Sequence, residues 1–280
     1  NNRRFIDKAH LRGADGLILD LEDSVPPVSR EAARAGLADA VASAGSAGGD
    51  VLVRINSGES DRMADLDAAC IGGVTALVVT KVESAASVRA LSEQISMLEA
   101  SRNLDAGAIC FFILIETAAG FFEARSIAGA DARVVALGLG GEDFALSVDM
   151  TPQPEHLLMP KQWVLIAARA AGIVPLGLVG SIANYSDLKA MRTMALRSRA
   201  LGFEGASCIH PSVVPVLNDA FTPTEEEITA ATRITNAYQE ACSKGLGAIE
   251  LDGKMIDVPV ALRARRLLNR ASAITDRNER

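Results

Sequence analysis

Two apolar runs in this 280-residue chain end in acid: residues 108–115 stop at Glu116, and residues 134–139 stop at the turn Gly140-Gly141-Glu142-Asp143. Each run is long enough for a strand buried on both faces, and each is followed by a helical pattern. A carboxylate at the C-terminal end of a parallel strand stands where α/β folds build their active sites. Two such carboxylates, brought from separate strands to one mouth, make a natural site for a hard divalent cation. Magnesium takes oxygen ligands, often only one or two of them protein carboxylates, and leaves its other positions to water and substrate.

The same alternation runs through most of the chain. Strand patterns fall at residues 15–20, 51–56, 76–82, 108–116, 133–138, 173–179 and 205–210, with helical patterns at 30–43, 61–71, 85–99, 120–127, 161–171 and 187–201. Successive βα units predict an α/β fold with a parallel sheet. Seven strands suggest a TIM (β/α)8 barrel that is one strand short, and the chain opens on a helical pattern at 3–11, as if the first strand lay upstream. Gly138-Leu139-Gly140-Gly141 lacks the spacing of a dinucleotide fingerprint, which argues against an open doubly wound sheet. The barrel domain is expected over residues 1–222. Residues 223–280 form a C-terminal helical extension, opened by Thr224 as an N-cap with Glu227 at capping-box distance. It continues through a turn at Asp252-Gly253 and closes on a basic helix at 261–271. Lying outside the repeat, it must pack on a barrel or reach a neighbouring subunit.

Composition narrows the function classes. With 49% hydrophobic but only 4% aromatic residues, the core must be built from Ala, Val, Leu and Ile, which suits parallel strands under helices. A net charge of -7 leaves no basic excess to neutralise phosphates, so nucleic acid is not an expected partner. No apolar stretch approaches the roughly 20 residues needed to span a bilayer, and no membrane partner is expected. Cys70, Cys110, Cys208 and Cys242 form no CxxC pair and read as reduced thiols, which fits the cytoplasm.

The candidate chemistry sits at strand ends. Asp20-Leu21-Glu22-Asp23 is the densest acid cluster after a strand, and three carboxylates so close are costly to bury without a compensating cation. A solvated turn before Pro26-Pro27 is the plainer account; the strand-end position favours function. Arg54 interrupts the apolar strand Val53-Arg54-Ile55-Asn56. Such an Arg either pairs with Asp20 or Glu22, or binds a substrate carboxylate bidentately, which Lys does less well. Glu116 and Asp143 each have a local capping reading; together, flanked by glycines that let a ligand approach, they read as a metal pair. For Lys81 and Glu83 a surface salt bridge is an equally good account. Three scattered His residues, among them His210 at the end of the last strand, do not make a zinc site, and no nucleophile elbow is present.

Taken in order, Leu17-Ile18-Leu19-Asp20-Leu21-Glu22-Asp23-Ser24-Val25-Pro26, Val53-Arg54-Ile55-Asn56, Ile115-Glu116-Thr117-Ala118-Ala119-Gly120, Gly141-Glu142-Asp143, Cys208-Ile209-His210-Pro211 and the tail segment Gly253-Lys254-Met255-Ile256-Asp257-Val258-Pro259 resemble the citrate lyase β-subunit-like proteins. These belong to the HpcH/HpaI aldolase superfamily, with the malyl-CoA and citramalyl-CoA lyases. The resemblance implies a TIM barrel that binds Mg2+ through Glu116 and Asp143. It implies that Arg54 holds the carboxylate or oxo group of a 2-oxo acid, with Asp20, Asp23, Gly141 and Glu142 lining the substrate and Glu22 assisting catalysis. Asp257 would be delivered to a neighbouring subunit as an acid/base in a homotrimer or homohexamer.

The implied activity is a magnesium-dependent carbon–carbon lyase, cleaving or forming a 3-hydroxyacyl-CoA-type thioester from a 2-oxo acid and an acyl thioester. The alternatives are a pyruvate-type class II aldolase acting on free hydroxy-oxo acids, or a lyase subunit that needs a carrier-protein partner and is inactive alone. The chain departs from the family pattern in three places. The opening strand, which ends in a Pro-Gly turn just before Asn1, is absent; Arg30 stands where Lys is common; and Pro175-Leu176-Gly177-Leu178-Val179-Gly180 lacks an Asp often found there.

Overall fold

Six parallel strands pair in sequence order: β1 (Gly16–Asp20), β2 (Asp50–Ile55), β3 (Ala76–Val79), β4 (Cys110–Ile115), β5 (Val134–Leu139) and β6 (Val174–Pro175). They are seen in a computed structural model that describes residues 2–183 and 185–278. Beyond β6 the ladder continues as one parallel bridge, Leu176 to Gly205. Asn218 Nδ2 then donates to Gly13 O at 2.8 Å, returning the chain to the segment before β1. Helices Glu59–Ala69, Ala85–Ser101, Ala118–Ala128, Pro154–Ala171 and Leu188–Leu201 follow their strands as the βα pattern requires. The fold class is the expected one: α/β, of TIM-barrel type.

Strand parity divides the core. Val53, Ile55, Leu77, Val79, Phe111, Ile113, Ile115 and Leu137 pack outward under the helices in one large buried cluster. Alternate positions, Val78, Phe112 and Ala136 with Leu52, Leu114 and Leu176, form a second, small cluster on the other face. Asp20 pairs in register with Arg54, and Arg54 with Val78, so the two charged side chains share the parity of this inner face. Period two also gives that face to Glu116, two residues past Leu114. The strand ends of the inner face are therefore charged while its middle is apolar.

Several expected elements differ, among them the helical pattern at 3–11, which is a short helix, Arg3–Ile6, followed by a 3-10 turn, Ala9–Arg12. The strand at 205–210 is reduced to the Gly205 bridge, and the strand at 173–179 ends at Pro175. Past that point Gly177 takes a positive φ of 155°, and the carbonyls of Leu178 and Gly180 accept from Lys161 Nζ instead of a neighbouring strand. The helix at 30–43 is two, Arg30–Ala35 and Leu37–Ala44, with Gly36 between them.

The chain divides into two compact units, Asn1–Asn218 and Asp219–Arg280, with the division a few residues before the expected boundary at 222. In the second unit, helices Glu225–Ser243 and Val258–Asn278 pack on each other. The capping box is formed: Glu227 N donates to Thr224 Oγ1 at 3.2 Å and Thr224 N to Glu227 Oε2 at 2.8 Å. Between the helices a hairpin, β7 (Ile249–Leu251) and β8 (Lys254–Ile256), turns through Asp252 and Gly253, both at positive φ as a two-residue hairpin requires. Among the described residues no helix is long and apolar enough to cross a membrane.

The N-terminal ends of β4 and β5 are locked by a buried ion pair. Glu99 Oε1 accepts from Ile109 N (3.0 Å) and Arg133 (2.8 Å), and Oε2 from Gly107 N (3.0 Å) and Arg133 (2.6 Å). Burial alone would raise this carboxyl, but those donors outweigh it and hold it near 2. The stability it contributes is present above its unfolded value and is lost as pH falls toward about 2. Replacing Glu99 by Ala strands the Arg133 charge in the core. Urea unfolding of Glu99→Ala at pH 7 is expected to show a loss of about 3–5 kcal/mol.

Candidate active site

Because the sheet is parallel, every strand delivers its C-terminal end to one rim, and the charged residues gather there. Arg54 lies across the mouth of β1. Its Nε and one terminal nitrogen donate to Asp20 Oδ1 and Oδ2 at 2.7 and 2.6 Å. Glu22 N and Ser24 N donate to the same two oxygens at 3.0 and 3.1 Å. A carboxylate offers about four acceptor positions, so Asp20 is saturated by the protein. This is the ion pair that the sequence allowed for Arg54, and it fixes the guanidinium. Burial would raise the Asp20 carboxyl, but Arg54 outweighs it and brings it down to about 2; the Arg54 guanidinium, in return, is raised further above its usual value.

The other terminal nitrogen of Arg54 faces Glu22 Oε2 at 3.2 Å and Asp23 at 3.8 Å. Glu22 is almost fully buried, at 4% exposure. Its Oε1 accepts from Thr80 Oγ1 and Lys81 Nζ, both at 2.9 Å, while its Oε2 makes no hydrogen bond. Lys81 proves to be no surface residue pair with Glu83. Its backbone takes a left-handed φ of 53°, a conformation that costs about 1–3 kcal/mol for a residue with a side chain. That turn lets Lys81 N donate to Glu116 Oε2 at 3.0 Å while its ammonium bridges Glu22 and, at 3.8 Å, Asp143.

Glu116 sits one residue past β4, at 3% exposure, against the β5 exit turn. Gly140 is there for space: a Cβ on it would collide with the Glu116 carboxylate. Burial, then the charges of Asp143 and Glu22, raise the Glu116 carboxyl to about 7, with Lys81 offsetting only part. Asp143 lies in the first turn of helix Gly141–Ser147, beside Glu142, whose carboxylate accepts from Ser181 Oγ. Asp257 belongs to the second unit, where it accepts from Val260 N at 3.3 Å at the start of the last helix. His210 stacks on Tyr185 with ring centroids 4.7 Å apart.

The rim thus carries Asp20, Glu22, Asp23, Glu116, Glu142 and Asp143 against Arg54 and Lys81. Such an excess of negative charge repels an anionic substrate unless a divalent cation joins it. Among the described residues no three His, Cys, Asp or Glu side chains are placed to cage a metal by themselves. The donor set that does converge is two hard carboxylates, one of them carrying a charge that burial penalises. That is the pattern magnesium accepts, with water and substrate as its remaining ligands.

One residue escaped the sequence reading altogether. Lys161 is 6% exposed, and burial lowers its ammonium to about 8 despite the nearby charge of Glu142. The signal was present in the helical period: Leu157, Lys161, Val164 and Ala168 form one buried stripe.

Glu116 sets a pH dependence in the metal-free protein. Its folded value lies above the unfolded one, so the stability it contributes is complete below about 4.5 and is lost as pH rises through about 7. With EDTA present, Glu116→Gln is expected to unfold at higher urea than the parent at pH 8, by about 1–3 kcal/mol. The gain should vanish near pH 4. A variant no more stable than the parent at pH 8 would contradict the charge crowding described here.

The chain is similar to known proteins over most of its length. The profile of the HpcH/HpaI aldolase/citrate lyase family matches residues 1–211. Citrate lyase subunit beta of Leuconostoc mesenteroides subsp. cremoris is 32% identical over 98% of this chain and 91% of its own length. The L-malyl-CoA/beta-methylmalyl-CoA lyase of Cereibacter sphaeroides is 29% identical over 97% of this chain and 92% of its own. Among solved structures, the CitE protein of Mycobacterium tuberculosis, in complex with magnesium, acetoacetate and coenzyme A, superposes with a TM-score of 0.70 at 29% identity, covering 95% of both chains. A parallel barrel-type sheet, acids on its C-terminal rim and a family profile spanning most of the sequence lead to one conclusion: the chain belongs to the HpcH/HpaI aldolase/citrate lyase family.

Proposed function

We propose that this protein is a magnesium-dependent carbon–carbon lyase that splits, or forms, a 3-hydroxyacyl thioester of coenzyme A type, with a 2-oxo acid and an acyl thioester as the other partners. The observation that carries the reading is the buried Glu116 carboxylate, raised to about 7 beside Asp143, at the rim where Arg54 is held. The relatives named above support it: a citrate lyase subunit, a malyl-CoA lyase, and a protein crystallised with magnesium, a small oxo acid and coenzyme A.

Glu116 and Asp143 would hold the metal, and magnesium there supplies a Lewis acid worth several kcal/mol to the alkoxide charge that develops on the substrate hydroxyl. Arg54 binds the carboxylate and oxo oxygens of the 2-oxo acid through the nitrogen that Asp20 leaves free. Its plane is already fixed, so no reorganisation opposes the change in charge. Glu22 and Lys81 support that arrangement from behind, Glu22 by orienting Arg54 and Lys81 by offsetting the crowded carboxylates. Asp23, Gly141 and Glu142 line the substrate. Asp257 gives a proton to the thioester enolate carbon in the cleavage direction and removes one in condensation. We assign it to the site of a neighbouring subunit in a homotrimer or homohexamer. The free thiols Cys70, Cys110, Cys208 and Cys242 support a reducing compartment, the cytoplasm.

Cleavage of a 3-hydroxyacyl-CoA is expected to stop with EDTA and return with magnesium. Glu116→Ala and Asp143→Ala should each remove nearly all turnover, and Arg54→Lys should lower kcat by about 10²-fold. Full turnover in EDTA, or cleavage of free hydroxy-oxo acids only, would overturn the assignment. Sharing of Asp257 between subunits has its own test. Glu116→Ala and Asp257→Asn are each expected to be inactive, and activity should reappear when the two are dissociated together and reassembled. A mixture that stays inactive places Asp257 in its own chain's site.

A further inference from the structure

Lys161 is a buried cation that the proposed chemistry does not use. It projects from helix Pro154–Ala171, and its ammonium has no carboxylate hydrogen-bond partner; it donates to Leu178 O at 2.5 Å and Gly180 O at 2.7 Å. Burying an ammonium against neutral carbonyls is expensive, and a Met of similar length would fill the same space. The side chain therefore does something that packing alone would not.

The loop it grips is held from both sides. Val179 N, between the two carbonyls, donates to the fully buried Ser198 Oγ at 2.9 Å, and Ser198 in turn donates to Met194 O. The next residue after Gly180 is Ser181, whose hydroxyl donates to Glu142. Lys161 also reaches the other side of that contact. A Cβ on Gly141 would lie 3.6 Å from both its Cε and its Nζ, so the ammonium lies directly under the β5 exit turn. One side chain thus bonds the loop after β6 and packs beneath the turn that carries Gly141, Glu142 and Asp143.

We infer that Lys161 is a positioning residue: it clamps the Leu178–Ser181 loop to the β5 exit turn, so that Ser181 fixes Glu142 at the substrate wall. The kinetic part of this inference rests on the lyase reading; the structural part does not. Past Gly177, whose N still donates to Gly205 O, the carbonyls of Leu178 and Gly180 turn toward the ammonium. A substrate that meets Glu142 then encounters a wall fixed by a bond network and not by a strand.

The test compares Lys161→Met, Lys161→Arg and Ser181→Ala with the parent, by amide hydrogen exchange and by steady-state kinetics. Lys161→Met should lose about tenfold or more of its protection at residues 176–183 and also at 140–147, with residues 95–115 unchanged, because charge-assisted hydrogen bonds are lost. Lys161→Arg should restore most of it. In turnover, Lys161→Met should raise the substrate KM about tenfold while kcat stays within about threefold, and Ser181→Ala should reproduce the KM effect without further loss in the double variant. Faster exchange confined to 176–183, or a lowered melting temperature with KM unchanged, makes Lys161 a purely structural residue and overturns the inference. A parent protein without turnover counts against the lyase, and the exchange result then decides the role of Lys161 by itself.

Discussion

Everything at the rim depends on an unbalanced charge. Asp143 and Glu22 are brought within electrostatic reach of the buried Glu116, and Lys81 offsets only part of the repulsion. A folded protein tolerates this only where the rest of the fold over-determines the geometry. Here the strands do so: Arg54 and the residue after β4 cannot leave the inner face without a slip in register, and a slip of one residue would turn the whole outward cluster inward. The apolar sheet thus keeps in place the acids that cost it stability.

The opposite end of the same strands makes the contrast. Glu99 and Arg133 are as deeply buried as anything at the rim, yet both oxygens of Glu99 are matched by donors and Arg133 adds bonds to Ile109 O and Ser96 Oγ. That pair is fully compensated and needs no ligand. At the rim, Glu22 Oε2 lacks a hydrogen bond and Glu116 is held by a single backbone donor against two like charges. Both clusters set buried carboxylates against basic side chains; what separates them is whether the protein supplies all the donors. A site for an external cation is marked by incomplete satisfaction, and a structural ion pair by its completion.

Much of this was legible in the chain. Apolar runs ending in acid gave the strand ends, and the Thr224 and Glu227 spacing gave the capping box to the residue. What was not legible has physical causes. The strand expected at 205–210 is cut to the Gly205 bridge, and past Gly177 the facing carbonyls of Leu178 and Gly180 accept from an amine on a distant helix, which no local pattern records. Lys81 reads as a surface residue because its role depends on a left-handed backbone turn that non-glycine residues rarely take. For Asp20 the sequence offered a pairing with Arg54 but could not count the four donors that converge on its carboxylate. Lys161 was visible only to its helical period, which places it in a buried stripe without saying what it grips.

The Asp20–Arg54 pair shows why saturation is useful in a site and not only in a core. An Arg free to rotate would have to be ordered as each substrate arrives, at a cost of up to about 2 kcal/mol of side-chain freedom. With Nε and one terminal nitrogen already bound in a fork, that ordering is complete when the chain folds, and the guanidinium plane is set by β1 and β2 in register. The remaining nitrogen faces Glu22, an acid whose own second oxygen is unbonded. Under the proposed function, a substrate oxyanion entering there would compete with a carboxylate that Lys81 and Thr80 hold by its other oxygen. Binding would then exchange one anion for another beside a fixed cation, with Lys81 and Thr80 still holding the other Glu22 oxygen. This is how a rim so rich in acids can still favour an anionic ligand once a divalent ion shares its carboxylates.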